Sequence, residues 1–235
     1  MMQEEVEERL SSMADRGYDA FNSRIARSPK RTIGVRLPDI RSYAKEIVKG
    51  DWRSFAALPS QSLDQCILKA VVIATARAGP GERLELTKGF LPEIEEWGTC
   101  DCLCASWKIG KEEDASELFS WCEGLLDSGK EFPMRVGAVM MLAKFMDREH
   151  IDTVLKDLGK TRKSPGYYWD MGLAWTLSVC FIKFPEKTEE VLFSGTGPRE
   201  VLKMTLQKIR DSYRVERSEK DRLTQRFKTF PSEGR

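Results

Sequence analysis

Apolar residues recur along much of this chain at intervals of three and four, which is the spacing of an α-helix. Residues 37–48 show it clearly, because Pro38 stands in a first helical turn, apolar positions follow at i, i+3, i+4, i+7 and i+8, and Gly50 ends the segment. The same spacing predicts helices over residues 61–78, 84–94, 115–125, 133–145, 167–184, 197–212 and 217–228. No segment alternates apolar and polar positions with β-branched enrichment, so the pattern predicts an all-α protein.

The helices are short, and the proline-opened apolar ones begin near residues 133 and 166. Trp97 and Arg135 are 38 positions apart, and Arg135 and Trp175 are 40 apart. A helix-pair repeat of about 40 residues is typical of HEAT and armadillo proteins. We therefore predict one domain over residues 1–235, an α-solenoid whose second helices line a concave groove. Trp97, Arg135 and Trp175 would be neighbours along that groove, and Asp101 would join them if residues 97–101 form a helical turn.

Composition narrows the class of protein. Hydrophobic residues make up 41% of the chain and charged residues 32%, which suits a folded core rather than bulk disorder. No apolar run approaches the roughly 18–20 residues that span a bilayer, and the acidic start of the chain lacks the features of a signal peptide. We expect a soluble cytoplasmic monomer with no membrane partner.

Six cysteines are present, three of them at Cys100, Cys102 and Cys104. Zinc sites favour two ligand pairs with wider spacing, and His150 is the only histidine. A metal site is therefore the less favoured interpretation, and buried small hydrophobic side chains are the favoured one. On a helix, Cys100 and Cys104 would share a face and Cys102 would point elsewhere.

The net charge of +1 conceals two basic segments. Residues 24–53 hold nine Lys or Arg against three acids, residues 196–235 hold eleven against six, and the middle of the chain is acidic. Two basic ends could hold a polyanion, although solvated helix faces would give the same pattern.

The groove residues each have two interpretations. Asp101 is either the N-cap of a helix that begins at Cys102 or a functional carboxylate. Arg135 either pairs with a nearby acid or binds a phosphate, and Trp97 and Trp175 either lie in the core or line the groove. Together, two indoles, a carboxylate and an arginine would form a site for a cationic group on an anionic backbone.

Four segments carry a family resemblance, in order and at matching intervals: residues 34–41 (GVRLPDIR), 97–101 (WGTCD), 134–138 (MRVGA) and 171–175 (MGLAW). With them the chain, from about residue 34 to 213, resembles the helical-repeat alkylpurine DNA glycosylases of the AlkD type. The resemblance implies DNA alkylation repair by base excision, in which the N-glycosidic bond of cationic purines such as 3-methyladenine and 7-methylguanine is hydrolysed without base flipping. It implies no cofactor and no metal.

The resemblance also implies residue roles. Asp101 matches the catalytic aspartate, Trp97 and Trp175 match tryptophans that pack on the deoxyribose, and Arg135 matches an arginine that holds a phosphate. The partner would be double-stranded DNA with alkylated bases, in the nucleoid. Further phosphate contacts are expected from the basic ends: Arg36, Arg41, Lys45, Lys203, Lys208, Arg210 and Arg214. A non-enzymatic module for unusual DNA structures and a protein-interaction scaffold stay open as alternatives.

Overall fold

A computed structural model describes residues 3–26, 28–110, 112–160 and 162–231, without the side chains of residues 112 and 113. Arg27 and residues 232–235, which belong to the two basic segments, lie outside the described residues. No β-strand occurs in the described part, which confirms the all-α prediction. Its α-helices are α1 (Gln3–Ser12), α2 (Arg16–Ala26), α3 (Leu37–Ile47), α4 (Trp52–Ala57), α5 (Leu63–Thr75), α6 (Pro80–Phe90), α7 (Trp97–Ser106), α8 (Glu112–Leu126), α9 (Glu131–Lys144), α10 (Ile151–Leu158), α11 (Tyr167–Lys183), α12 (Pro185–Leu192), α13 (Arg199–Asp211) and α14 (Arg217–Thr229).

Local sequence signals set several helix ends. Pro38 stands in the first turn of α3, and the Ser62 hydroxyl accepts the Gln65 N–H at 3.2 Å to cap α5. Pro185 ends α11, as expected, but it also begins α12, because proline is tolerated at a first helical position. The helix expected over residues 84–94 ends at Phe90, and residues 91–93 form a 3₁₀ turn.

Contacts group the chain into two compact units, and the first comprises Met1–Leu118. In this unit α5 is central: α3 and α7 pack against it, and so do α1, α4 and α6. Residues 63–74 of α5 are all buried except Ile67. The buried Asp64 carboxylate accepts the N–H groups of Ile33 at 2.6 Å and Val35 at 2.7 Å, and this fastens the segment before α3 to α5.

The second unit comprises Phe119–Arg235. Its central helix is α11, which packs against α9 and α13, while α10 and α12 also contact α11 and α14 packs on α13. In each unit, a helix thus packs against the next helix but one, as helix-pair repeats predict. The continuous solenoid, its concave groove and the single-domain organisation stay predictions.

All six cysteines are free thiols. Cys100 and Cys104 are buried and Cys102 is half-buried, so the predicted division of their side chains is confirmed. Among the described residues, no group of three His, Cys, Asp or Glu side chains stands where it could hold a metal ion. None of the described helices is both long and apolar enough to cross a membrane.

Candidate active site

Helix α7 begins at Trp97, and its N-cap is Glu96. The Glu96 carboxylate accepts the backbone N–H groups of Gly98, at 2.6 Å, and Thr99. Asp101 is therefore the fifth residue of the helix, where the backbone N–H groups already have helical partners. The interpretation of Asp101 as the cap of a helix beginning at Cys102 is wrong, because the helix begins five residues earlier.

The helical turn assumed for residues 97–101 is present, so Trp97 and Asp101 stand one turn apart on one face of α7. Both side chains are half-buried, whereas Cys100, Leu103 and Cys104 are buried. The edge of α7 that carries Trp97 and Asp101 is therefore accessible, while the opposite side of the helix supplies core.

Two carboxylates interact at the start of α7. Burial raises the pKa of Glu96, the N–H groups of Thr99 and Gly98 oppose that rise, and the charge of Asp101 adds to it. Burial also raises the pKa of the Cys102 thiol to about 12, against a lowering by the positive charge of Arg41. Asp101 thus lies within electrostatic reach of Glu96, and Arg41 reaches the same helix.

Trp97 also contacts α2, since its indole Nε1–H donates to the Ile25 carbonyl at 3.4 Å. The basic residues expected to bind DNA in this unit, Arg36, Arg41 and Lys45, are all exposed. Arg36 forms an ion pair with Asp15 at 2.8 Å. Their exposure is what phosphate contacts require.

Arg135 lies on α9 in the second unit and is only 4% exposed. Its Nη1 donates to the Tyr168 carbonyl at 2.9 Å, at the start of α11. A Cβ atom on Gly172 would lie 3.0 Å from the Arg135 Cγ, so the glycine lets the arginine side chain cross α11 closely. Gly172 precedes Trp175 by one turn, and the structure therefore brings Arg135 near Trp175.

Trp175 is half-buried and belongs to a stripe along α11. The other members, at intervals of three and four, are also half-buried: Tyr168, Met171, Val179 and Ile182. The helix is otherwise enclosed by α9, α10, α12 and α13. Trp175 thus lies on the accessible face of α11 and is not a core residue.

The predicted basic contacts of the second unit occupy α13 and the turn after it. Lys203 and Arg210 are exposed and Lys208 is half-buried, and Arg214 is exposed between α13 and α14. Lys203 lies 3.8 Å from Glu200, and Arg210 donates to Gln207.

Trp97 and Asp101 thus lie together in the first unit, and Arg135 and Trp175 lie together in the second. The common groove for all four stays a prediction. The small residues before Trp175 predict a close approach to α11, and at Gly172 the group that approaches is the Arg135 side chain. The role of Glu96 was not predicted, although an acid directly before an apolar helical stretch is a signal for an N-cap.

A sequence model of the family described as DNA alkylation repair enzyme matches residues 6–192, which is most of the chain and includes all four residues. A search of curated proteins found no match. A search of solved structures also found none.

Proposed function

We propose, from the premise that the chain belongs to the DNA alkylation repair enzyme family, that it is a glycosylase for cationic alkylated purines of the 3-methyladenine and 7-methylguanine class. The observation that carries the proposal is the pairing of Trp97 and Asp101 on the accessible edge of α7. A carboxylate beside an aromatic ring suits a site in which positive charge develops on a sugar.

The protein need not protonate the leaving purine. An N3- or N7-alkylated purine is already cationic, so the C1′–N bond breaks with its electron pair going to the purine. Water then adds to C1′ and loses a proton to Asp101 or to solvent, which leaves an abasic site and the free base. Because the leaving group needs no general acid, the base need not be drawn into a pocket, and we propose that it is not flipped.

Asp101 would stabilise the oxocarbenium-like sugar. A carboxylate about 4 Å from that cation contributes about 4 kcal/mol at an effective dielectric of 20, against about 1 kcal/mol in water. The larger value corresponds to about three decades in rate. The half-buried position of Asp101 on α7 favours the larger value, because water surrounds only part of the carboxylate.

The other residues would hold the substrate. Trp97 and Trp175 would pack against the deoxyribose, each from an accessible helix face. Arg135 would act from a fixed position, because the Tyr168 carbonyl orients its guanidinium and its charge attracts a phosphate toward the open face of α11. The cations of the two basic segments would bind further phosphates, and all but the half-buried Lys208 are exposed: Arg36, Arg41, Lys45, Lys203, Lys208, Arg210 and Arg214.

The test is release of 3-methyladenine or 7-methylguanine from methylated duplex DNA, measured for the wild type and for Asp101→Asn. We expect the variant to lose about three decades in rate while its affinity for DNA stays within about twofold. Asp39→Asn, an exposed acid on α3, is the matched control and should release base at the wild-type rate.

Release at the wild-type rate by Asp101→Asn would overturn the mechanism. Binding of bulged or branched DNA without any release by the wild type would favour the non-enzymatic module. Lack of salt-dependent DNA binding would favour the interaction scaffold, since phosphate contacts weaken steeply as salt rises.

A further inference from the structure

Helix α2 displays an apolar face to solvent. Phe21 is 59% exposed and Ile25 is 42% exposed, and they are two of the four large hydrophobic side chains that lie exposed in the described part of the chain. Tyr18 lies on the same face, with its ring centroid 6.5 Å from that of Phe21. An aromatic face of this kind lowers solubility unless it binds something.

The helix is fixed in place and is not a frayed end. Its opposite side carries Asp19, which accepts the Thr32 hydroxyl, and Ala26, which is buried. Gly34 has φ of +86°, and a Cβ there would lie 2.5 Å from the Asp19 Cβ, so α2 packs closely on the segment that Asp64 holds. The exposed side chains therefore stand at defined positions.

The same face continues to the candidate active site. Trp97 donates to the Ile25 carbonyl, so the indole stands at the end of the stripe formed by Tyr18, Phe21 and Ile25. Burial raises the pKa of Tyr18, so its hydroxyl is partly withdrawn from water while Phe21 and Ile25 stay exposed. The apolar face and the Trp97–Asp101 edge thus form one surface of the first unit.

The cations around this face are complementary to the phosphates of a nucleic-acid partner. The Arg36 guanidinium lies 5.3 Å from the centre of the Tyr18 ring, Arg24 is exposed on α2, and Arg41 reaches α7. Asp15 pairs with Arg36 and offsets its charge, so Arg24 and Arg41 supply the net positive charge. Cations that border an aromatic face suit phosphates on either side of stacked bases and sugars. A second copy of the chain would present the same cations and be repelled.

We propose that the face of α2 formed by Tyr18, Phe21 and Ile25 binds the sugar and base edges of duplex DNA beside the damaged nucleotide, with Phe21 as the anchoring residue. The position of this contact beside the lesion rests on the proposed function. The contact with duplex DNA does not. Loss of the Phe21 ring should therefore weaken binding of undamaged duplex as well as damaged duplex.

The experiment compares Phe21→Ala, Phe21→Tyr and the control Ser23→Ala, which changes an exposed side chain elsewhere on α2. Binding of an undamaged duplex is measured by fluorescence anisotropy, and contact with the neighbouring bases by the fluorescence of a 2-aminopurine in the duplex. We expect Kd to rise about tenfold for Phe21→Ala, as for the loss of one partly buried aromatic side chain from an interface. Phe21→Tyr and Ser23→Ala should stay within about twofold of the wild type, and all three variants should keep its thermal midpoint.

Wild-type affinity and an unchanged 2-aminopurine signal for Phe21→Ala would overturn the proposal. A concentration-dependent dimer of the wild type that Phe21→Ala dissociates would also overturn it, because the face would then be covered by a second copy. If DNA binding depends on Phe21 but the wild type releases no base, the glycosylase function fails and this inference stands. If the wild type releases base and Phe21→Ala matches it in binding and KM, this inference fails alone.

Discussion

Replacing Glu96 by alanine tests how α7 is held. The Glu96 side chain is 2% exposed, and its carboxylate accepts two backbone N–H groups at the start of the helix that carries Trp97 and Asp101. Without this carboxylate, the N–H groups of Gly98 and Thr99 lose their acceptor, and at a site this buried water does not readily replace it. We expect Glu96→Ala to fray the first turn of α7, to destabilise the fold and to slow base release.

The change in the free energy of unfolding combines the loss of the cap hydrogen bonds with relief from burying the carboxylate. Loss of an N-cap costs about 1 kcal/mol, with a range of about 0.5–2. Because this cap is a carboxylate, the cost lies toward the range for a hydrogen bond to a charged group, about 1.5–3 kcal/mol. The raised pKa shows that burial of the carboxylate is itself unfavourable, so its removal recovers part of the loss. A net loss of about 1.5 kcal/mol would lower the thermal midpoint by about 3–6 °C for a chain of this size.

The pH dependence has a definite sign. Burial raises the pKa of Glu96 above its ordinary 4.5, so the folded protein binds this proton more tightly than the unfolded chain does. The stabilisation by Glu96, relative to the non-titrating Glu96→Gln, should therefore be fully present below pH 4.5 and be lost as pH rises through the raised value. Urea midpoints of the two proteins at a series of pH values measure this difference.

The control is Glu95→Ala, since Glu95 is the neighbouring acid, is exposed and pairs with Lys30 at the surface. Its loss should change stability by less than about 0.5 kcal/mol. Equal thermal midpoints for Glu96→Ala and Glu95→Ala would refute the capping argument. A stability difference between wild type and Glu96→Gln that grows with pH would refute the role of burial.

Two more predictions concern the second unit. A Cβ at Gly137 would lie 2.9 Å from the Cys122 carbonyl oxygen, so Gly137→Ala should lower the urea midpoint by the equivalent of about 1–3 kcal/mol, whereas Gly124→Ala, with open space around it, should not. The hydrogen bond from Arg222 holds the pKa of Glu189 below its ordinary 4.5. The extra stability of the wild type over Glu189→Gln should therefore be fully present above pH 4.5 and be lost as pH falls through the lowered pKa. Thermal midpoints of the two proteins at a series of pH values measure this difference.

The long helices could be predicted from the sequence because each shows the helical period over several turns. Helices α3, α9, α11, α13 and α14 all lie within about two residues of their predicted ranges. The six residues of α4 and the eight of α10 and α12 are too few for that period to be visible. Their stability comes from packing against α5 and α11, which a local pattern does not contain.

The candidate site was harder to predict, for a reason that Glu96 and Asp101 illustrate. Either acid could precede a helix, and a short apolar stretch does not say which one does. The helix begins at the first of them, because Gly98 lets the Glu96 carboxylate fold back onto the N–H groups: a Cβ there would lie 3.0 Å from the Glu96 Oε2. Arg135 is equally ambiguous, since one of its partners is a backbone carbonyl that no sequence pattern identifies.

The end of the family match does not coincide with a boundary in the structure. The match ends at residue 192, yet α13 packs against α11 as closely as α9 does and buries Val201, Leu202, Leu206 and Ile209. Helix α14 is attached in turn, because Arg222 and Arg226 both bind the Glu189 carboxylate on α12. The accessible stripe of α11 that includes Trp175 therefore depends on residues beyond the match. The described part of the C-terminal basic segment, residues 196–231, thus packs within the unit that presents Trp175.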